Sequence, residues 1–174
     1  VYGFPDRAGS QAMSSNPFGE TVVVAETGLG RYQVEARVAN AAIPIDEPVA
    51  SGGLGSGPNP YNLLGAALGA CKTMTIRLYA NRKNWPLTHV QVDVRHRRAD
   101  LNARDVFEAD VHLEGDLNAE QRARLLEIAE RCPVHLTLTR SADVHTVLLP
   151  ARAASAKPAE GPSHMNCMNE ACAD

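Results

Sequence analysis

One segment near the middle of the chain is apolar or small at almost every position, and it restricts the fold more than any other feature. It runs from Leu63 to Ile76, and Lys72 is its one charged residue. Asn59 is a favourable N-cap residue for a helix that begins here, and Pro60 suits the first helical position. A helix without a polar face is normally buried. The sequence therefore predicts a central helix around which the other elements assemble.

This helix carries a cysteine directly after a run of small residues. Glycine and alanine fill most positions from 65 to 70, so another backbone can approach closely, and Cys71 follows. A lone buried cysteine is ordinarily an inert core residue. Burial raises the pKa of a thiol, and the thiolate is the attacking species, so a reactive Cys71 requires a cation nearby. Adjacent helix positions point ~100° apart, so Lys72 is not expected to contact the sulfur of Cys71.

A second cysteine changes the interpretation of the first. Cys132 stands at the end of another predicted helix, directly before Pro133. The two cysteines are much too far apart in sequence for a C-x-x-C motif. A structural disulfide would be unusual in a reducing compartment, and we therefore favour a pair that opens and closes.

Composition limits the classes of function. The chain has 174 residues, of which 44% are hydrophobic and 21% charged, and this suits one globular domain. The net charge of −3 predicts no binding to nucleic acid or anionic lipid. No uninterrupted apolar run reaches the ~18 residues of a membrane helix, and no signal-peptide pattern is present. We expect a cytoplasmic protein with no nucleic-acid or membrane partner.

The first part of the chain has the pattern of short strands. Thr21–Glu26 and Arg31–Val38 are predicted to form a hairpin, and Ala41–Ile45 is a candidate third strand. The glycine-rich segment Ser51–Pro58 matches neither the P-loop nor the dinucleotide fingerprint. We interpret it as a flexible bend into the central helix.

The second part predicts two strands, a helix and a last strand. His89–Arg98 and Val106–Leu113 alternate strictly, Asp116–Arg131 has an amphipathic stripe, and Asp143–Leu149 is expected to close the fold. The arginines of the first of these strands are interpreted as a solvated sheet face. Strands grouped around two helices indicate the α+β class with antiparallel sheets.

We divide the chain into an N-terminal extension at 1–20, a single domain at 21–150 and a C-terminal tail at 151–174. The dozen residues before Met13 are interpreted as partly foreign to the natural protein. The tail contains His164, Cys167 and Cys172, three soft ligands whose spacing matches no standard zinc motif. We interpret the tail as disordered, with incidental thiols, and expect no metal and no cofactor.

Four segments of the domain support a family resemblance. The first cysteine motif of the OsmC/Ohr family, the osmotically induced and organic-hydroperoxide-resistance proteins, closely resembles Gly57–Cys71 (GPNPYNLLGAALGAC). The second resembles Arg131–Leu138 (RCPVHLTL). The OsmC-like branch of the family is similar at Asp46–Pro48 (DEP) and at Met74–Lys83 (MTIRLYANRK). The likeness extends over about residues 21–149.

The resemblance implies an α+β OsmC-like fold, with antiparallel sheets wrapping two central helices in an intertwined homodimer. It also implies an antioxidant, stress-response peroxidase that reduces organic hydroperoxides, and hydrogen peroxide as a further candidate substrate. Carried over by position, Cys71 is the peroxidatic thiol that becomes a sulfenic acid, and Cys132 is the resolving thiol. The implied reductant is a dithiol or a lipoyl-bearing protein.

The family also places an arginine, held by a glutamate, beside the peroxidatic thiol. Many members have this glutamate directly after the Asn-Pro of the first motif, where this chain has Tyr61 and Asn62. We expect Glu47 to take its place. Arg37 and Arg31 on the first hairpin are both candidates for the arginine, and we favour Arg37. The missing motif glutamate also supports an alternative, a non-catalytic OsmC-like thiol sensor or small-molecule-binding module.

Overall fold

Two antiparallel sheets and four α-helices make up the part of the chain that this computed structural model describes, residues 21–150 and 165–173. The α+β class predicted from the sequence is confirmed. The proposed extension at 1–20 and His164 lie outside the described residues. The elements are β1 (Val23–Glu26), β2 (Val34–Val38), β3 (Ala41–Ile45), α1 (Pro60–Arg82), β4 (Leu87–Arg97), β5 (Val106–Gly115), α2 (Ala119–Glu130), α3 (Pro133–Arg140) and α4 (Met165–Ala171), with a 3-10 turn at Val49–Ser51.

The predicted central helix is α1. The Asn59 side chain accepts a hydrogen bond from the Asn62 amide at 2.9 Å, which confirms the N-cap. Ile76 is completely buried in the main core. Leu64 and Met74, however, are 43% and 49% exposed, so the all-round burial that the sequence predicts is not reached within one chain.

β1, β2 and β3 form an antiparallel sheet with β2 in the centre, so the predicted hairpin and third strand are confirmed. The register places Ala36 between Val24 and Ile43. Ala36 is buried, whereas Val24 is largely exposed. Within the described residues this sheet makes its extensive contacts only between its own strands.

A buried carboxylate orders the glycine-rich loop that follows this sheet. Asp46 accepts hydrogen bonds from the Glu47 and Leu54 amides at 2.8 and 2.9 Å and from the Ser56 hydroxyl at 2.9 Å. Gly53 has no room for a side chain against the Glu47 carbonyl. The sequence predicts a flexible bend here, but these bonds fix the loop at the entrance to α1.

The second sheet pairs β4 with β5 and lies against α1. A Cβ atom at Gly69 would lie 3.3 Å from Val94 Cγ2 and 3.5 Å from the Val92 carbonyl oxygen. The small residues of α1 therefore allow β4 to approach the helix, as the sequence predicts.

α2 packs its apolar stripe on the other elements of the core. Asn118 and Gln121 form a capping box: the Asn118 side chain accepts from the Gln121 amide at 2.8 Å, and the Gln121 side chain accepts from the Asn118 amide at 3.0 Å. Leu125 and Ile128 are completely buried, in one cluster with Ile76 of α1. The helix thereby holds its C-terminal end close to the middle of α1.

The predicted strand at Asp143–Leu149 is wrong. Residues 141–150 have no regular secondary structure, and Val144 and Leu148 are 84% and 100% exposed. Val144, Thr146 and Val147 are β-branched and give this segment a preference for an extended backbone. A strand also needs a neighbouring edge to bond to, and within the described chain this segment has none.

Two helices were not predicted. Pro133 begins α3 immediately after α2 ends, because proline is favoured at the first helical position. α4 lies in the segment that we interpreted as a disordered tail, and Met168 of this helix and Cys172 directly after it are buried. Arg82 of α1 donates to the Cys172 carbonyl at 2.9 Å and so covers the end of this helix.

Adjacent leucines on α2 test the orientation of this helix. Leu125 is completely buried, whereas Leu126 is 53% exposed. We expect Leu125→Ala to lower the free energy of unfolding by about 2–5 kcal/mol, because it leaves a cavity in the core. Leu126→Ala should change it by no more than about 0.5 kcal/mol. Denaturant titration measures both values, and equal losses would contradict the burial described above.

Asp46 should make stability depend on pH in the acid range. Burial raises the pKa of its carboxyl, but hydrogen bonds from Ser56, Leu54 and Glu47 outweigh burial and hold the pKa below its ordinary value. Its contribution is therefore present above the unfolded-state pKa of about 3.9 and is lost as the pH falls through the lower folded-state pKa.

We expect Asp46→Asn to lower the midpoint of denaturant unfolding at neutral pH and to flatten its decline in acid. The substitution Asp116→Asn at an exposed position is the matched control. An unchanged acid profile in Asp46→Asn would show that this carboxylate does not order the loop.

Candidate active site

The fold brings Cys71 and Cys132 together in one small cluster. Cys71 of α1 is 3% exposed, and Cys132, between α2 and α3, is completely buried. The two side chains are hydrogen-bonded to each other, and both are free thiols. Apolar side chains surround the pair: Leu68, Val94, Phe107, Val134 and Leu138.

Cys132 occupies the N-cap position of α3. Its Sγ accepts a hydrogen bond from the His135 amide at 3.3 Å, and its own amide donates to the Ala129 carbonyl at 3.4 Å. The hydrogen bond with Cys71 and burial together raise the pKa of the Cys132 thiol far above its ordinary value. The His135 amide and the positive charge of Lys72 act in the opposite direction.

Lys72 is buried beside this pair, and its contacts with α2 and α3 were not predicted from the sequence. Its side chain is 3% exposed, and Nζ donates to the Ala129 carbonyl at 3.1 Å and to Glu130 Oε1 at 2.8 Å. It lies 3.4 Å from His135 Nδ1. A single lysine in an otherwise apolar helix was the available signal, because a buried ammonium requires partners.

The contacts of Lys72 determine the tautomer of His135. An ammonium only donates, so His135 Nδ1 accepts and the ring hydrogen lies on Nε2, which is 3.3 Å from Glu130 Oε2. Burial lowers the pKa of His135; Glu130 raises it and Lys72 lowers it, and the net shift is downward. Burial raises the pKa of Glu130 and is the largest single effect, but the hydrogen bond and the charge of Lys72, with a smaller contribution from His135, together outweigh it, so the net shift is also downward. At neutral pH the imidazole is therefore uncharged and the carboxylate ionised.

A cavity of about 220 Å³ adjoins the thiol pair. Its apolar wall includes Leu68, Phe107 and Leu138, which also contact the cysteine cluster. Its polar wall consists of Lys72, Arg104, Glu130, His135 and Thr139. The cavity has room for a small organic group beside residues that pack on the two cysteines.

A larger cavity of about 480 Å³ follows the small-residue face of α1 from Tyr61 to Thr73 and the facing part of β4. Neither cysteine lines this cavity or the smaller one. The larger cavity shares only Val94 with the cysteine cluster, whereas the smaller one shares Leu68, Phe107 and Leu138.

The other residues named from the sequence lie elsewhere within the single chain. Arg37 pairs with Glu35 at 2.6 Å on the same strand, and its side chain is 70% exposed. Arg31 lies over the Tyr32 ring at 5.9 Å, and Glu47 is in the loop ordered by Asp46. The assignment of Arg37 and Glu47 to the active site stays a prediction.

Tyr61, which stands in place of the motif glutamate, belongs to a second cluster. Its ring stacks on His96 at 4.2 Å, and its hydroxyl accepts from Arg98 Nη2 at 2.6 Å. Asp105 bonds both Arg98 and His96, and these bonds, with that from Arg98 the larger, lower its pKa to about 2. Arg98 is therefore engaged by neighbours, whereas the sequence predicts a solvated arginine.

Neither a metal site nor a membrane segment is found where the structure can be described. Within residues 21–150 and 165–173, no group of three His, Cys, Asp or Glu side chains is arranged to hold a metal ion. No helix in these two ranges combines the length and the hydropathy needed to cross a membrane.

The sequence matches one protein family. Residues 53–147 fit the family described as OsmC-like protein, a range that contains both cysteines and Lys72. Among curated proteins, no match to the sequence was found.

Solved structures share the fold. A protein from Psychrobacter arcticus 273-4, described as an osmotic stress induced and detoxification response protein, has a TM-score of 0.61 at 22% identity, over 67% of this chain and 86% of that chain. The organic hydroperoxide resistance protein OsmC of Legionella pneumophila has a TM-score of 0.56 at 21% identity, over 70% of this chain and 89% of that chain. The organic hydroperoxide resistance protein OhrB of Bacillus subtilis has a TM-score of 0.50 at 20% identity, over 70% of this chain and 91% of that chain. At these identities the likeness shows the fold alone.

The contacts of His135 predict how its ring titrates. We expect the imidazole to titrate below the ordinary histidine pKa of about 6.5, with the neutral hydrogen on Nε2. Lys72→Met should raise this pKa and Glu130→Gln should lower it. NMR titration of the His135 ring carbons and nitrogens measures the pKa and shows which ring nitrogen carries the hydrogen. The control is Lys83→Met, which removes an exposed charge from the end of the same helix, and a hydrogen on Nδ1 would contradict the arrangement.

Proposed function

The chain belongs to the family of OsmC-like proteins, and from this premise we propose that it is a thiol-dependent peroxidase that reduces organic hydroperoxides. One observation carries the proposal: two buried thiols, remote in sequence, are hydrogen-bonded to each other, and a cavity with one apolar wall shares residues with the cluster around them. Two of the similar structures are named organic hydroperoxide resistance proteins, which agrees with this choice of substrate.

In the proposed first step the Cys71 thiolate attacks the terminal oxygen of the hydroperoxide. A sulfur–oxygen bond forms, the oxygen–oxygen bond breaks, and the alkoxide takes a proton to leave as an alcohol. Cys71 is oxidised to a sulfenic acid and the hydroperoxide is reduced. The apolar wall of the cavity favours an organic group over water, which is why we propose an organic substrate rather than hydrogen peroxide.

The hydrogen bond between the thiols supports the assignment of roles. It raises the pKa of Cys132, so Cys132 keeps its proton and donates to Cys71. The first thiol to ionise is then Cys71, whose negative charge this donor stabilises. Cys132 would resolve the sulfenic acid as a disulfide, and a dithiol or lipoyl-bearing protein would reduce that disulfide through a mixed disulfide.

We further propose that the active protein is an intertwined homodimer. The first sheet contacts chiefly itself, Leu64 and Met74 of α1 are half exposed, and the apolar residues of segment 143–149 are largely exposed. A second copy would cover these surfaces. It would also bring Arg37 and Glu47 from one subunit towards the thiols of the other, where a guanidinium would stabilise the thiolate. A reducing cytoplasm would suit this cycle.

The alternative is a non-catalytic thiol sensor or small-molecule-binding module. It is favoured by Tyr61, which occupies the position of the motif glutamate and binds Arg98 instead. A sensor would be oxidised once and would not turn over with a reductant. Steady-state assays therefore separate the two functions.

Hydroperoxide consumption in the presence of a dithiol tests the proposal. We expect turnover with cumene hydroperoxide, and at least about a hundredfold loss in Cys71→Ser, which lacks the nucleophile. Cys172→Ser, which changes a buried thiol outside the site, is the matched control. Absence of turnover in the wild-type protein would favour the sensor.

The two arginine candidates are separated by the same assay. We expect Arg37→Met to lower kcat/KM about 10²–10³-fold, the usual effect of removing a group that stabilises reacting charge. Arg31→Met should have little effect. The reverse order would transfer the role to Arg31, and no effect from either would remove the first hairpin from the mechanism.

A further inference from the structure

We propose that the buried ammonium of Lys72, held by Glu130 and His135, is the positive charge that stabilises the Cys132 thiolate when this thiol attacks the oxidised Cys71. This role rests on the peroxidase function proposed above. It gives the resolving step its own cation, distinct from the arginine that the family places beside the peroxidatic thiol.

The position of Lys72 is fixed by the same residues that bond Cys132. The Ala129 carbonyl accepts from Lys72 Nζ at 3.1 Å and from the Cys132 amide at 3.4 Å. His135 contacts Lys72 through its ring and donates to Cys132 Sγ through its amide at 3.3 Å. The residues that bond the amide and the sulfur of Cys132 are therefore also partners of Lys72. Movement of the ammonium away from the sulfur would break these bonds.

The charges that face Cys132 leave the ammonium dominant. Lys72 is 3% exposed, whereas the Glu130 side chain is 57% exposed, so water screens the carboxylate far more than the ammonium. His135 is uncharged at neutral pH, as its contacts require. Arg104, on the cavity wall, is exposed and adds only a screened positive charge. Cys132 also occupies the N-terminus of α3, where backbone amides favour a negative sulfur.

The remaining group that faces Cys132 is Cys71, and its state changes during the cycle. In the reduced pair, the Cys71 sulfur holds the Cys132 proton and opposes its ionisation. Conversion of Cys71 to a neutral sulfenic acid removes that opposing charge. Lys72 and the α3 amides then favour the ionisation of Cys132 without opposition from Cys71. The Cys132 thiolate therefore forms readily only after Cys71 has been oxidised.

The resolving step balances without another reagent. Cys132 loses its proton and its sulfur attacks the sulfenic sulfur of Cys71, so that the S–S bond forms and the S–O bond breaks. The departing hydroxide takes up one proton and leaves as water. Cys132 is oxidised, the sulfenic sulfur is reduced, and Lys72 stays protonated throughout.

Titration of Cys132 tests the charge directly and needs no hydroperoxide. The Cys71→Ser protein, with Cys71→Ser/Cys132→Ser as its blank, reports the Cys132 thiolate by ultraviolet absorbance. In this background Lys72→Met should raise the pKa of Cys132 by about one unit or more, because it removes a nearby opposite charge. Lys72→Arg should keep most of the wild-type value.

Glu130→Gln distinguishes a charge effect from a structural one. It leaves Lys72 in place without its carboxylate, so the pKa of Cys132 should fall, opposite to the change in Lys72→Met. A merely structural role predicts that both variants loosen the site and shift the pKa in one direction. Lys83→Met is the control and should shift nothing. A common direction, or no shift in Lys72→Met, overturns the proposal.

A single-turnover experiment links the charge to the reaction. After one equivalent of cumene hydroperoxide, Lys72→Met with both cysteines present should lose more rate in closure of the disulfide than in formation of the sulfenic acid. It should close the disulfide about threefold more slowly for each unit by which the pKa of Cys132 rises. The smaller thiolate fraction slows the attack, and the greater nucleophilicity of the thiolate partly offsets this loss. Unchanged closure would overturn the role of Lys72. Failure of Cys71 to oxidise at all would instead overturn the proposed function, and the titration would still report on the charge.

Discussion

The contact between the thiols of Cys71 and Cys132 is the interaction on which the candidate site depends. It joins the middle of α1 to the junction of α2 and α3, and it exists because those elements share a core. Small residues such as Gly69 let β4 lie close against α1, and the buried face of α2 sets the position of Cys132. The fold therefore acts on the chemistry mainly by bringing together two side chains that are distant in sequence.

Burial of the Lys72 ammonium costs free energy of folding, and the surrounding hydrogen bonds offset this cost. Burial of an ammonium is unfavourable unless its donors are bonded, and the three partners of Nζ provide those bonds. The resulting network joins α1 to α2 and α3 around the thiols. Such a charge influences nearby sulfurs more strongly than an exposed one, because little water screens it. Stability of the helix junction and reactivity of Cys132 are thus coupled through one residue.

The features that follow local rules could be predicted from the sequence. The cap at Asn59, the capping box at Asn118 and the first hairpin depend on neighbouring residues, and all are found. The prediction at Asp143–Leu149 was wrong because β-branched residues give a preference for a strand but do not supply an edge to pair with. The contacts of Lys72 and Tyr61 depend on residues far along the chain, so no local pattern indicates them. Arg37 and Glu47 lie apart from the thiols within one chain, so their role stays a proposal that depends on the proposed dimer.

Peptide mapping after oxidation tests the central claim most directly. The reduced protein, treated with one equivalent of cumene hydroperoxide and alkylated, is digested and its linked peptides are identified by mass spectrometry. The account predicts a disulfide between Cys71 and Cys132 within one chain, with Cys167 and Cys172 still reduced. A Cys71 that stays a thiol, or that is oxidised irreversibly while Cys132 remains reduced, would contradict it.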